Sequence, residues 1–99
     1  MRISPEQTKT IARLAREVAG EDACVRLFGS RLEEHAKGGD VDLLLELPFP
    51  VENPALTAAR LSARVSRLFH GRRVDVLISA PNLKRLPIHD VARRQGVLL

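Results

Sequence analysis

The most informative stretch of this protein is residues 40–47, DVDLLLEL. Apolar side chains recur at every second position, as expected of one buried strand face: Val41, Leu43, Leu45 and Leu47. The opposite face carries Asp40, Asp42, Leu44 and Glu46, although aspartate is rare in strands. We therefore predict a strand from Val41 to Leu47, beside two aspartates that lie about 7 Å apart along one face.

A helix and a strand are predicted before this segment. Ser4, Pro5 and Gln7 have the form of a capping box with proline at the first helical position. They predict a helix from Pro5 to Ala19, which buries four residues at helical spacing: Ile11, Leu14, Ala15 and Val18. A strand from Ala23 to Phe28 follows, and the residues from Ser30 to about His35 favour a short helix.

Two helices and a third strand are predicted after it. Asn53 and Pro54 begin a helix that Gly71 stops, and its buried face carries Ala58, Leu61, Val65 and Leu68. Val74 to Ile78 reads as a strand with Asp75 on its polar face. The last helix is predicted to start near Pro87, to end at Gly96, to bury Ile88, Val91 and Ala92, and to precede a packed tail at 97–99.

This order of elements predicts a single α+β domain over residues 1–99. The second and third strands are joined through a helix, so we expect them to be parallel with a right-handed crossover. The first two strands have a shorter connection, so we expect them to be antiparallel. The expected architecture is a small mixed sheet of three to four strands packed with about four helices.

Composition limits the possible functions. The chain has 99 residues, a net charge of +4, and Cys24 as its one cysteine, so an internal disulfide and a cysteine-based zinc cluster are excluded. No apolar run is long enough to span a membrane, and the first residues lack the apolar stretch of a signal peptide, so we expect a cytoplasmic protein. Cys24 is expected to be buried, and the histidines are expected to be on the surface: His35, His70 and His89.

The basic charge indicates a polyanionic partner, either a nucleotide or a nucleic acid, although a solvated arginine-rich surface explains it as well. The chain has three phenylalanines and neither tryptophan nor tyrosine. A single-strand binder that stacks bases on aromatic side chains is therefore not expected. Direct nucleic-acid binding through charge is an alternative, but the sequence does not favour it.

Three aspartates form the strongest chemical pattern. The charges of Asp40 and Asp42 repel each other unless a cation lies between them, and hard divalent ions accept carboxylate oxygens and phosphates together. If the second and third strands are neighbours, Asp75 approaches this pair, and three carboxylates suit a two-metal site. The alternatives are a solvated acidic face and a structural ion pair of Asp75 with Arg72 or Arg73.

Gly29, Ser30 and Arg31 follow a strand and form a candidate phosphate-binding turn. Glycine lets backbone N–H groups approach a phosphate, and the serine hydroxyl adds a donor. The role of Arg31 has two interpretations, because its guanidinium can pair with a phosphate or with Glu34 three residues later.

The combined pattern resembles the signature of the DNA polymerase β-like nucleotidyltransferases. The residues that carry the resemblance are Phe28-Gly29-Ser30-Arg31, then Asp40-Val41-Asp42-Leu43, and finally Val74-Asp75-Val76-Leu77. The closing residues 94–99, RQGVLL, resemble the ending of the minimal nucleotidyltransferases, which stand alone and are commonly paired with HEPN-domain ribonuclease toxins. The resemblance covers nearly the whole chain.

The resemblance implies an antitoxin that transfers AMP from ATP to a tyrosine of its HEPN partner. Gly29 and Ser30, with Arg31, would hold the triphosphate, while Asp40 and Asp42 would bind two Mg²⁺ ions. Asp75 would bind one of these ions and help to deprotonate the acceptor hydroxyl. Such a protein would form a hetero-oligomer with its partner.

Two features differ from the family pattern, and two other functions remain open. Gly39 stands where these proteins often have serine, and the connection from Gly29-Ser30 to Asp40 is short for the minimal group. Neither difference removes a predicted ligand. The alternatives are an antitoxin that neutralises by binding alone, and a nucleotidyltransferase acting on RNA or a small molecule.

Overall fold

The computed structural model describes residues 3–29 and 41–99, which form three α-helices and four strands. In chain order these are α1 (Pro5–Ala19), β1 (Cys24–Phe28), β2 (Val41–Glu46), α2 (Pro54–Leu68), β3 (Val74–Ser79), α3 (Pro87–Gln95) and β4 (Val97–Leu98). The fold class is α+β, as the sequence predicts. The short helix expected from Ser30 to His35 lies outside the described residues.

The four strands form one mixed sheet in the order β3-β2-β1-β4. β2 pairs in parallel with β3 and antiparallel with β1, and both orientations confirm the prediction. β4 pairs antiparallel with the other side of β1. The residues expected only to form a packed tail therefore add a short edge strand to the sheet.

One face of the sheet is covered by α1 and α2. The buried core contains side chains from β1, β2 and β3 together with those from both helices, and its fully enclosed members are Ile11, Ala15, Val41, Leu43, Leu45, Leu61 and Val65. These are the positions at which the sequence alternates with period two in the strand and recurs with helical spacing in α1 and α2. Burial of this apolar area is the main force that orders the chain.

The beginnings of α1 and α2 are fixed by side-chain caps. The Gln7 backbone N–H donates to the Ser4 hydroxyl at 3.1 Å, and the Gln7 side chain accepts from the Ser4 N–H at 2.9 Å. Asn53 accepts from the Leu56 N–H at 3.1 Å and caps α2 in the same way. Both caps confirm the prediction, because Ser4 and Asn53 accept hydrogen bonds that the first helical turn leaves unpaired.

The opposite face of the sheet is partly covered by α3, where one prediction is wrong. Ile88 is 45% exposed and His89 is buried, the reverse of what the sequence indicated. The His89 Nδ1 accepts from the Leu86 N–H, and Nε2 lies 2.9 Å from the Ile78 carbonyl oxygen, to which it donates in this arrangement. The imidazole is buried because both ring nitrogens are satisfied by backbone groups.

Smaller differences occur at element ends. Cys24 opens β1 as an exposed residue rather than a buried one. Helix α2 ends at Leu68, and two residues intervene before Gly71, whose positive φ reverses the chain. Among residues 3–29 and 41–99, no helix combines the length and hydrophobicity needed to cross a bilayer.

Replacing Leu43 with alanine is expected to lower the free energy of unfolding by about 3 kcal/mol. Leu43 has no exposed surface and lies in the middle of β2, one of the two inner strands, so the substitution removes buried methyl groups and leaves a cavity. Chemical denaturation measures the change. Leu98→Ala, at a side chain that is 56% exposed, is the control and should change stability by less than about 0.5 kcal/mol. Equal losses in both variants would contradict this description of the core.

Candidate active site

Two of the three predicted aspartates lie side by side on the sheet. Asp42 is the second residue of β2 and Asp75 the second residue of β3, and the two are direct partners in the parallel register. Neighbouring strands are about 4.8 Å apart, so these two side chains project from adjacent positions on the same face of the sheet. That face is the one turned away from α1 and α2, because Val41 and Leu43 occupy the core.

The end of β1 brings Gly29 to the same corner. Phe28 pairs with Asp42, and Gly29 follows directly with φ +77°, a conformation that residues with a side chain rarely adopt. A Cβ built on Gly29 would lie 2.5 Å from Oδ2 of Asp42. Glycine is therefore required here both for the backbone conformation and for the close approach of the Asp42 carboxylate to the turn.

Asp75 forms an ion pair with Arg73, two residues earlier on the chain. Nε of Arg73 donates to Oδ1 of Asp75 at 3.2 Å, and the two side chains are 74% and 48% exposed. This is one of the structural alternatives that the sequence left open for Asp75. Such an exposed pair contributes little to stability because water screens it, so it does not prevent the carboxylate from taking another partner.

Asp40, Ser30 and Arg31 lie outside the described residues. Within the described part of the chain, no group of three or more histidine, cysteine or acidic side chains is close enough to hold a metal ion. The structure therefore brings together Asp42, Asp75 and Gly29, and the three-carboxylate cluster stays a prediction that depends on Asp40.

The residues at this corner fit a hard divalent cation. Carboxylate oxygens are the ligands that Mg²⁺ prefers, and it is held by one or two carboxylates together with water and phosphate oxygens. Two carboxylates at neighbouring register positions repel each other, and a bound cation relieves that repulsion. Asp42 and Asp75 thus offer the donor type and number that one Mg²⁺ requires from a protein.

A second polar cluster, which the sequence did not indicate, lies at the opposite end of β1 and β2. Nε of Arg26 donates to Oε1 of Glu46 at 2.5 Å, and Nε of Arg93 lies 3.7 Å from Oε2 of the same carboxylate. These side chains border a cavity of about 330 Å³ together with Cys24 and Leu98. The sequence contained a signal for this ion pair, because Arg26 and Glu46 carry opposite charges on the polar faces of two strands expected to pair. In the antiparallel register Arg26 lies diagonally across from Glu46.

The comparisons with known proteins do not identify a family. No protein-family model matches the chain, and no curated protein matches it. The chemistry of the site therefore rests on its own residues and on the resemblance of the short motifs.

Proposed function

We propose that this protein is a Mg²⁺-dependent nucleotidyltransferase of the minimal type. In this proposal it transfers AMP from ATP to a tyrosine of a partner HEPN ribonuclease toxin and so acts as the antitoxin. The observation that supports the proposal is the direct parallel pairing of Asp42 with Asp75 beside Gly29. One or more described residues from each of the three segments that resemble one catalytic signature, namely Gly29, Asp42 and Asp75, thus lie at one corner of the sheet.

Asp42 and Asp75, joined by Asp40, would hold two Mg²⁺ ions in this proposal. When bound, the ions supply positive charge that neutralises phosphate oxygens and lowers the pKa of an acceptor hydroxyl. Binding and positioning of the triphosphate are the roles of the protein's own residues. Gly29 opens the turn so that backbone N–H groups approach the triphosphate, and Ser30 and Arg31 would complete its binding site.

The transfer itself needs a base and an in-line leaving group. The acceptor oxygen attacks the α-phosphorus of ATP, the bond from that phosphorus to the bridging oxygen breaks, and pyrophosphate leaves with the bonding electrons. Asp75 would take the hydroxyl proton, since it is exposed and adjacent to the nucleotide-binding corner. Its ion pair with Arg73 would have to open for this role.

Label transfer tests the proposal directly. The protein is incubated with Mg²⁺, its HEPN partner and ATP labelled either at the α-phosphate or at the γ-phosphate. We expect the partner to become labelled from α-labelled ATP alone, and labelling to stop when EDTA removes the metal. Labelling from the γ-position, or equal labelling in EDTA, would reject an adenylyl transfer. Parallel reactions with RNA and with an aminoglycoside distinguish the other acceptor classes.

A second candidate function is an antitoxin that neutralises by binding without transfer. Leu86 and Ile88, at the start of α3, are 44% and 45% exposed and supply apolar surface for a protein partner on the last helix. If this function is correct, Ile88→Glu abolishes neutralisation and Asp42→Asn leaves it intact. If transfer is required, Asp42→Asn abolishes neutralisation as well.

The proposal also implies where the protein works and with which partner it assembles. A toxin-neutralising transferase that uses ATP works in the cytoplasm, where its nucleotide and its partner are present. It is expected to form a hetero-oligomer with the toxin, because in this proposal the acceptor tyrosine belongs to the toxin and must reach the corner formed by Asp42, Asp75 and Gly29. Size-exclusion chromatography of the two proteins together measures the assembly.

A further inference from the structure

The basic charge of this protein is concentrated on two helices. Helix α2 carries Arg60, Arg64 and Arg67 and contains no acidic residue, whereas α1 carries Lys9, Arg13 and Arg16 with two glutamates. Together the helices have six basic and two acidic side chains, a net charge of +4. This equals the net charge of the whole chain, so all the remaining residues together are neutral.

These side chains share one surface. All six basic residues are exposed, and in each helix they follow a spacing of four and then three residues, which places them along one stripe. Glu17 of α1 pairs with Arg13 at 3.2 Å and reaches Arg64 of α2 at 3.8 Å, so the two stripes are adjacent. We call this surface the basic helical face; it consists of Lys9, Arg13, Arg16, Arg60, Arg64 and Arg67.

Most of this charge is not neutralised by other side chains in the described part of the chain. Among the side chains of residues 3–29 and 41–99, no carboxylate forms an ion pair with Lys9, Arg16, Arg60 or Arg67. The face is also on the far side of the sheet from Asp42 and Asp75, because α1 and α2 cover the core side. The charge of this face therefore does not contribute to nucleotide binding at the candidate active site.

We propose that the basic helical face binds the phosphate backbone of a double-stranded nucleic acid. Arginine presents a fork of donors that matches phosphate oxygens, and unpaired cations release counterions from a duplex when they bind it. The exposed residues that precede Arg60 and Arg64 in α2 are small, Ala59 and Ala63, so a backbone can approach the helix closely. This binding is independent of the proposed transfer reaction.

The composition of the face favours a duplex over a single strand and over a protein. Neither helix contains an aromatic residue, so the face has no platform on which unpaired bases could stack. A protein partner needs an apolar centre in its interface. Four of the six large exposed apolar side chains of the described residues lie elsewhere, at Leu86, Ile88, Val97 and Leu98. The other two, Phe49 and Leu56, lie before α2 and in its first turn, so they precede the arginines of the face rather than form its centre.

Fluorescence anisotropy with a labelled 20-base-pair duplex, in separate DNA and RNA arms, tests the proposal on the full chain. The variant Arg60→Gln/Arg64→Gln/Arg67→Gln removes three charges from the face. The matched control Lys84→Gln/Arg93→Gln/Arg94→Gln removes three exposed charges from outside it and has the same net charge. Circular dichroism melting verifies that both variants are folded.

We expect the wild type to bind at least one duplex with a logarithmic salt slope of about −4, since each phosphate contact contributes about −0.9. The α2 variant should bind at least ten-fold more weakly with a slope shallower by at least 2, and the control should bind within about three-fold of wild type. Equal weakening of both variants, or no binding of wild type at low salt, would overturn the proposal. So would stronger competition by a poly-glutamate peptide than by unlabelled duplex, which would assign the face to an acidic protein.

Discussion

Asp42→Asn is expected to lower the rate of the proposed AMP transfer by about 10³-fold while leaving the protein folded. The substitution keeps the size of the side chain and removes the charge that would hold a divalent cation beside Asp75. Loss of charge stabilisation of several kcal/mol in the transition state corresponds to this factor. Initial rates of label incorporation from α-labelled ATP, at saturating Mg²⁺, measure the effect.

Asp90→Asn provides the control for this substitution. Asp90 is an exposed carboxylate on α3 that pairs with Arg85, away from the candidate site, so its neutralisation has the same effect on net charge. We expect Asp90→Asn to retain transfer within about two-fold. Retention of the wild-type rate by Asp42→Asn would show that Asp42 takes no part in the chemistry.

Gly29→Ala is expected to lower transfer by about 10²-fold and to reduce stability by about 2 kcal/mol. The positive φ of Gly29 is unfavourable for any other residue, and the added methyl group would collide with Oδ2 of Asp42. Relief of the collision moves either the Asp42 carboxylate or the turn that it contacts. A displacement of about 1 Å in a catalytic group is enough for a rate loss of this size.

Gly71→Ala distinguishes the effect of backbone strain from the effect of the collision with Asp42. Gly71 has φ +87°, but a Cβ built there meets no atom within 4 Å, so alanine suffers the backbone strain without a collision. We expect Gly71→Ala to reduce stability by about 1 kcal/mol and to leave transfer unchanged. Denaturation and label incorporation are measured on both variants. Equal rate losses in the two would mean that the contact between Gly29 and Asp42 does not matter for activity.

The sequence was sufficient to predict the α+β fold because local signals agree with each other. The alternation in β2 identified both its buried face and its acidic face, and the caps at Ser4 and Asn53 located the beginnings of two helices. The helix between β2 and β3 predicted their parallel pairing, since a parallel connection needs a crossover.

The same parallel pairing made the juxtaposition of Asp42 with Asp75 predictable in outline. Both aspartates are the second residues of neighbouring parallel strands, so a register without offset makes them partners. The contact between Gly29 and Asp42 was not predictable, because it depends on the φ angle of the turn and on the twist at the end of β1.

The errors arose where tertiary contacts override local patterns. The helical spacing of α3 predicted that Ile88 is buried. His89 is buried instead, because its ring nitrogens form hydrogen bonds with the backbone groups of Leu86 and Ile78. Cys24 was expected to be buried from its residue type, yet its position at the strand end and on the polar face exposes it. β4 contains only two residues, too few to show an alternating pattern.

Diffraction from crystals soaked with Mn²⁺ and a non-hydrolysable ATP analogue tests the central claim most directly, because the anomalous signal of manganese locates the ion without reference to activity. We predict an anomalous peak about 2.1 Å from a carboxylate oxygen of Asp42 and from one of Asp75, with the triphosphate next to Gly29. A peak that touches neither carboxylate, or a nucleotide bound elsewhere on the protein, would contradict the account.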